Sequence, residues 1–252
     1  MNISEKEIEG IVRQVIAGMA VSDASSGMVI DGKTYLGVFE DMNDAIDAAW
    51  KAQKKLYDMS VEEKEEIISA IRRLILEEAE TLARLGVSET GMGRVEHKIL
   101  KHRYVAQKTP GTEDLVTEAI TGDKGLTLLE LAPFGVIGAM TPSTNPSETV
   151  LCNSIGMIAG SNTVVFNPHP GALMTSLYAV DLVNRAARSV GAPENLAVAV
   201  RKPTMETSDI MMKSPKVRMI CCTGGPGVVR AVLSSGKKAI GAGAGNAARH
   251  RR

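Results

Sequence analysis

The chain has 252 residues, 44% hydrophobic and 23% charged, a balance that suits soluble globular folding around one sizeable core or two smaller ones. Lysine plus arginine equals aspartate plus glutamate at 29 each, so no global field draws the protein to nucleic acid or to an anionic membrane. No apolar run reaches the length of a membrane span, and the N-terminus lacks the basic-then-apolar order of a secretory signal, which predicts a cytoplasmic protein.

Residues 1–20 place Ile8, Ile11, Val12, Val15, Ile16 and Met19 at helical spacing behind Ser4 and Glu7, a candidate capping box. The result is an amphipathic helix whose single apolar stripe needs a partner, either the protein's own core or another protein's groove. Residues 21–40 read as a linker, opening on the polar, small-residue stretch Val21 to Gly27.

The main domain is expected over residues 41–252. It begins with helical patterning, in 45–57, in 62–86 and again from Val95 to Gln107, with Ser60 and Glu63 forming a second candidate capping box. His97 and His102 lie five apart rather than three or four, which argues against a metal pair on one helical face. Beyond Thr109, Pro110 and Gly111 the region 109–133 carries short strand-like segments.

From Phe134 onward strands and helices alternate. Candidate strands are 135–140, 162–167, 195–200, 216–224 and 237–243, and candidate helices follow Pro146, Gly171, Met205 and Gly225. Such alternation implies an α/β fold with a doubly wound parallel sheet, in which ligands bind beyond the carboxyl ends of the strands.

Three strand-to-helix junctions carry candidate chemistry. In Thr141 to Glu148, hydroxyls, an amide and Pro146 open a helix, an end suited to an anion or a carbonyl. Asn145 is its sharpest residue, either donating its amide to a developing oxyanion or capping the helix. In Phe166 to Ala172, Pro168 and Pro170 flank His169, giving a rigid shelf for a planar or sugar group or simply a loop. Cys222 to Val229 is a glycine-rich turn with backbone N–H groups suited to a pyrophosphate.

The cysteines Cys152, Cys221 and Cys222 form neither a disulfide framework nor a metal clip, and they read as small buried hydrophobes. Catalysis by Cys152 or Cys222 is the competing view, although neither has an evident activating base.

Long motifs add a resemblance. ETGMGRVEHKI at Glu89 to Ile99, KTPGTEDL at Lys108 to Leu115, LAPFGVIGAMTPSTNPSET at Leu131 to Thr149, FNPHPGA at Phe166 to Ala172, and TGGPGVVRAVLSSGKKAIGAGAGN at Thr223 to Asn246 carry it. In these the chain resembles the CoA-acylating aldehyde dehydrogenases of bacterial microcompartments, which handle acetaldehyde or propionaldehyde in ethanolamine and propanediol utilisation.

The resemblance implies an aldehyde-dehydrogenase-like, Rossmann-type fold with part of a strand arm in 109–133, and NAD and coenzyme A as cofactor and co-substrate. Asn145 then matches the oxyanion-hole asparagine. Thr141, Pro142, Ser143, Asn167, Pro168 and His169 match the nucleotide groove, while Thr223, Gly224, Gly225 and Gly227 match the turn near the pyrophosphate.

The implied chemistry is thiolate attack on the aldehyde, hydride transfer to NAD and acyl transfer to CoA. Where hydrolytic relatives carry a glutamate base this chain has Ala242 or Gly243, which favours a thiol acceptor over water. The N-terminal helix resembles a peptide that docks such enzymes to shell proteins in the microcompartment lumen, and the full-length form is expected to be a homo-oligomer. Past Asn246 the sequence AARHRR departs from the family, so the chain is expected to stop before the nucleophilic cysteine and to be inactive alone. A non-catalytic nucleotide-binding or encapsulation module is the alternative.

Overall fold

The computed structural model describes residues 27–243. The expected N-terminal helix lies outside them. Ten strands and eight helices are described, and the expected alternation is realised in a mixed α/β architecture.

Six strands form one parallel sheet: β3 (Val38–Phe39), β6 (Val136–Met140), β7 (Thr163–Asn167), β8 (Ala197–Val200), β9 (Val217–Thr223) and β10 (Lys238–Ala242). Their spatial order is β10-β9-β6-β7-β8-β3. The chain therefore winds outward from β6 through β7 and β8, then returns to the other side of β6 for β9 and β10. The reversal falls between β6 and β9, and at such a point the connections diverge and leave a crevice.

Near-continuous apolar runs suit strands buried on both faces, and alternate side chains confirm two cores. Val164 and Phe166 pack in one cluster with Ile68, Leu151 and Val180, drawn from α2 (Val61–Glu77), α5 (Pro146–Ala159) and α6 (Leu173–Ser189). Val165 packs in the other with Met42 and Ile46 of α1 (Met42–Tyr57) and Met211 of α7 (Met205–Lys213). Each such fully buried side chain contributes about 1.5–3 kcal/mol. Gly138 in β6 allows α7 to approach closely, since an added Cβ would meet Met211 Sδ at 2.9 Å.

The helical region follows its caps. Ser60 accepts from the Glu63 N–H at 3.1 Å while the Glu63 carboxylate accepts from the Ser60 N–H at 2.7 Å, both halves of the expected capping box. The continuous helical pattern of 62–86 corrects to two helices, α2 and α3 (Ala79–Thr90). The break falls at Glu78, whose carboxylate is bound by Arg185 at 2.7 and 3.1 Å and by Tyr178 at 2.6 Å, partners about a hundred positions away. Helix α4 (Val95–Lys108) completes the set.

The stretch 21–40, expected as a linker, is structured from Gly27 onward. Antiparallel β1 (Gly27–Ile30) and β2 (Lys33–Leu36) form a hairpin, and β3 joins the main sheet beside β8. Long-range bonds fix it: Leu36 N–H donates to Asp181 at 3.0 Å and Ala199 N–H to the Gly37 carbonyl at 2.9 Å. Gly37 at φ +74° has no room for a side chain, because a Cβ there would lie 2.4 Å from Asn184 Nδ2 and 2.5 Å from the Ala197 carbonyl.

Region 109–133 contributes a second hairpin, β4 (Glu118–Gly122) with β5 (Gly125–Leu129). It projects Ile120, Leu126 and Leu128 into solvent. Helix α8 (Pro226–Leu233) links β9 to β10. Among the described residues no helix is long and apolar enough to cross a membrane, and no group of three or more His, Cys, Asp or Glu side chains is placed to hold a metal.

Candidate functional site

The crevice predicted by the strand order is occupied by a groove of about 380 Å³. Parallel pairing sets Met140 beside both Asn167 and Cys222, so the carboxyl ends of β6, β7 and β9 finish at one level. The residues that follow them are brought together there. Thr141 and Pro142 line it from β6, Asn167, Pro168 and His169 from β7, and Thr223, Gly224 and Gly225 from β9.

Ser143, Asn145 and Gly227 are not part of this lining. Sequence reasoning missed a fourth wall, the junction after β8, where Pro203, Thr204, Met205 and Ser208 close the groove. Its signal was the Thr204–Thr207 pair, a reciprocal cap on α7 with bonds of 2.8 and 3.1 Å.

The groove's polar groups fall into two kinds. The Asn167 amide is engaged by that fourth wall, donating to Ser208 Oγ at 2.6 Å and accepting from Thr207 Oγ1 at 3.0 Å, so it ties β7 to α7. Thr141 is 4% exposed, and its Oγ1 is buried without a protein hydrogen-bond partner. A hydroxyl in that condition costs on the order of 1–3 kcal/mol until something bonds it. His169 Nδ1 accepts from the Gly171 N–H at 3.0 Å, which leaves Nε2 as the proton-bearing nitrogen of the neutral ring.

The glycine turn departs in one detail from expectation. Gly224 N–H is already committed to the Ala242 carbonyl at 3.1 Å, which docks the turn on β10. The donors left without an intrahelical acceptor are those at the start of α8, whose first residue, Pro226, has none to lose.

Asn145 stands at the mouth of α5, with φ −137° and ψ 61°, directly before Pro146. Its side chain makes no cap, which removes the capping alternative. Instead its Oδ1 accepts from Lys101 Nζ.

Behind it, α4 grips the first turn of α5. Lys98 Nζ lies 3.3 Å from both the Thr144 carbonyl and Glu148 Oε1, and Lys101 lies 3.6 Å from the same carboxylate oxygen. His102 donates Nδ1–H to the Lys98 carbonyl at 2.8 Å, and its Nε2 lies 2.8 Å from Ser147 Oγ. Burial holds His102 below its ordinary value of 6.5, against the opposing pull of Glu148 and the Lys98 carbonyl. Burial by itself would raise the Glu148 carboxyl, but a backbone N–H together with His102, Lys98 and Lys101 keeps it below its ordinary range.

Both shifts have the same consequence. The unfolded chain takes up protons first, so the stability they contribute is complete above about pH 6.5 and is lost as pH falls, through His102 and then Glu148. Urea unfolding from pH 8 toward pH 5 should show a declining free energy, and His102→Gln should flatten the upper part of that decline. An unchanged slope would remove His102 from the account.

The three thiols are quiet. Burial raises Cys152, Cys221 and Cys222 above the ordinary thiol value, and Cys152 Sγ lies 3.3 Å from Thr109 Oγ1.

Known proteins share this fold. A propanal dehydrogenase (CoA-propanoylating) of Salmonella typhimurium is 42% identical over 246 residues, covering 98% of this chain and 52% of that protein. The propionaldehyde dehydrogenase from the Clostridium phytofermentans fucose utilisation bacterial microcompartment superposes with a TM-score of 0.82 at 64% identity, over 84% of this chain and 48% of its own. The Rhodopseudomonas palustris propionaldehyde dehydrogenase with bound propionyl-CoA gives 0.81 at 52% identity, over 87% and 50%. The chain thus spans about half the length of the relatives it matches. The model of the aldehyde dehydrogenase family matches residues 18–244, and the chain belongs to that family.

Proposed function

We propose that this chain is the nicotinamide-nucleotide-binding half of a CoA-acylating aldehyde dehydrogenase that converts a short-chain aldehyde, acetaldehyde or propionaldehyde, to its acyl-CoA. The observation that carries the reading is the convergence of Thr141, His169 and Gly225 from three parallel strands on one groove at the point where the strand order reverses. NAD, when bound, would accept the hydride from the substrate.

The residues present suit such a ligand. Thr141 Oγ1 offers an unused hydrogen bond, Pro168 and Pro170 form a stiff wall, and among the described residues no carboxylate lines the groove to repel phosphate. Asn145 offers Nδ2 to the oxygen that becomes negative when a thiolate adds to the aldehyde. Donors of this type contribute roughly a hundredfold or more to the rate. The attacking thiolate comes from outside this chain's cysteines, which burial keeps protonated.

The apolar β4–β5 hairpin is proposed as an arm that meets another subunit. Residues 1–20 are proposed as the segment that docks to microcompartment shell proteins. The function is tested by following NADH with acetaldehyde or propionaldehyde and CoA. This chain alone should give no turnover, and turnover that a Cys152→Ala or Cys222→Ala change abolished would overturn the assignment of the nucleophile.

A further inference from the structure

The oxyanion reading of Asn145 leaves a question of geometry. A carboxamide presents an N–H at one end and a carbonyl oxygen at the other, and half a turn about its terminal bond exchanges them. With the wrong end forward, the group would repel the charge it is meant to stabilise. Something must therefore hold the amide one way round.

We propose that Lys101 is a positioning residue that fixes the Asn145 amide with Nδ2 forward, by holding Oδ1 from α4. The proposal rests on the reading of Asn145 as an oxyanion donor. An ammonium has three donors and no acceptor, so it pairs with Oδ1 and is incompatible with Nδ2 in the same place. A hydrogen bond accepted at Oδ1 also polarises the amide and strengthens the N–H at its far end.

The clamp is anchored. Lys101 lies 3.6 Å from the Glu148 carboxylate, which is itself held by buried Lys98 at 3.3 Å, and Lys98 also reaches the carbonyl of Thr144, the residue before Asn145. Ser147, two residues on, is held by His102. Residues 98, 101 and 102 share one face of α4 by their three- and four-residue spacing, so one helix fixes the backbone, the carboxylate and the amide of one turn.

A purely structural role for Lys101 makes a different forecast. Its side chain is 49% exposed, and an ion pair with Glu148 at that exposure contributes little to stability. Loss of the pair alone would leave the Asn145 amide where it is.

The side-chain amide resonances of Asn145 distinguish the two. They can be followed in the deuterated, nitrogen-15-labelled full chain and identified as the pair lost in Asn145→Asp. Lys101→Met should shift that pair and split or broaden it as both orientations become populated, and Lys101→Arg should restore the single pair. Lys108→Met, an exposed change on the same helix, should leave it alone. Unchanged Asn145 resonances in Lys101→Met would overturn the proposal, as would failure of arginine to restore them. Because this readout needs no turnover, its failure is distinct from failure of the oxyanion reading, which turnover of Asn145→Ala tests in the thiol-containing enzyme.

Discussion

Lys98→Met is expected to destabilise the folded chain by about 3 to 5 kcal/mol, a large part of the total for a domain of this size. The reason is asymmetry. Lys98 and Glu148 are 3% and 5% exposed and 3.3 Å apart, so each is tolerable only because the other is there. Removing the lysine strands a carboxylate whose remaining cation, Lys101, is half exposed and farther away, while the Thr144 carbonyl loses its donor. Replacing both charges, as Lys98→Met with Glu148→Leu, should recover much of the loss, since an apolar pair of similar volume leaves no buried charge behind. Chemical unfolding of the two single variants and the double variant measures the coupling. A Lys98→Met protein within about 1 kcal/mol of the parent would show that water reaches Glu148 and that the pair is not dry.

That buried lysine also marks the limit of what the sequence makes legible. The period of α4 does not distinguish Lys98, which is buried, from Lys101, which is half exposed, because their difference is made by α5, some fifty positions later. Asn145 is similar: its neighbours pointed equally to a cap and to an oxyanion donor, and that the side chain meets Lys101 from another helix instead of capping α5 is not written in those neighbours.

What local chemistry governs was readable. Buried parallel strands have to be apolar on both faces, so β6, β7 and β8 announced themselves as short Val- and Ala-rich runs, and the Ser60–Glu63 box fixed where α2 starts. The failures were of the opposite kind. A two-residue strand such as β3 has no period to detect and is held to β8 because Ala199 and Arg201 donate to the carbonyls of Gly37 and Phe39, at 2.9 and 2.8 Å. The break at Glu78 is likewise written in α6 rather than in its own helix. The groove's fourth wall is not legible in the local pattern of Pro203 and Thr204, whose significance lies in where β8 delivers them.

The groove assignment makes the other large forecast: Gly225→Trp should abolish measurable nucleotide binding, weakening NAD by at least roughly tenfold in a calorimetric titration, while leaving the fold intact. The contrast with Gly37 explains why. At Gly37 the protein's own atoms demand glycine, since φ is +74° and a Cβ would strike Asn184 and the Ala197 carbonyl. At Gly225 they do not. The residue has an extended backbone at φ −69° and ψ 161°, and an added Cβ meets nothing within 4 Å. Gly224 is nearly as free, its nearest obstacle being Cys222 Sγ at 4.0 Å. Two consecutive glycines with room around them carry an entropic cost of roughly 0.5–1 kcal/mol each without a packing reason inside the chain. The groove itself supplies one, because a bare backbone lets a ligand approach more closely than any side chain would. A tryptophan at 225 would take up that space from the wall of a cavity of only about 380 Å³, and its unfolding free energy should stay within about 1 kcal/mol of the parent. Unaltered NAD affinity in a well-folded Gly225→Trp protein would place the nucleotide elsewhere and leave these glycines without an explanation.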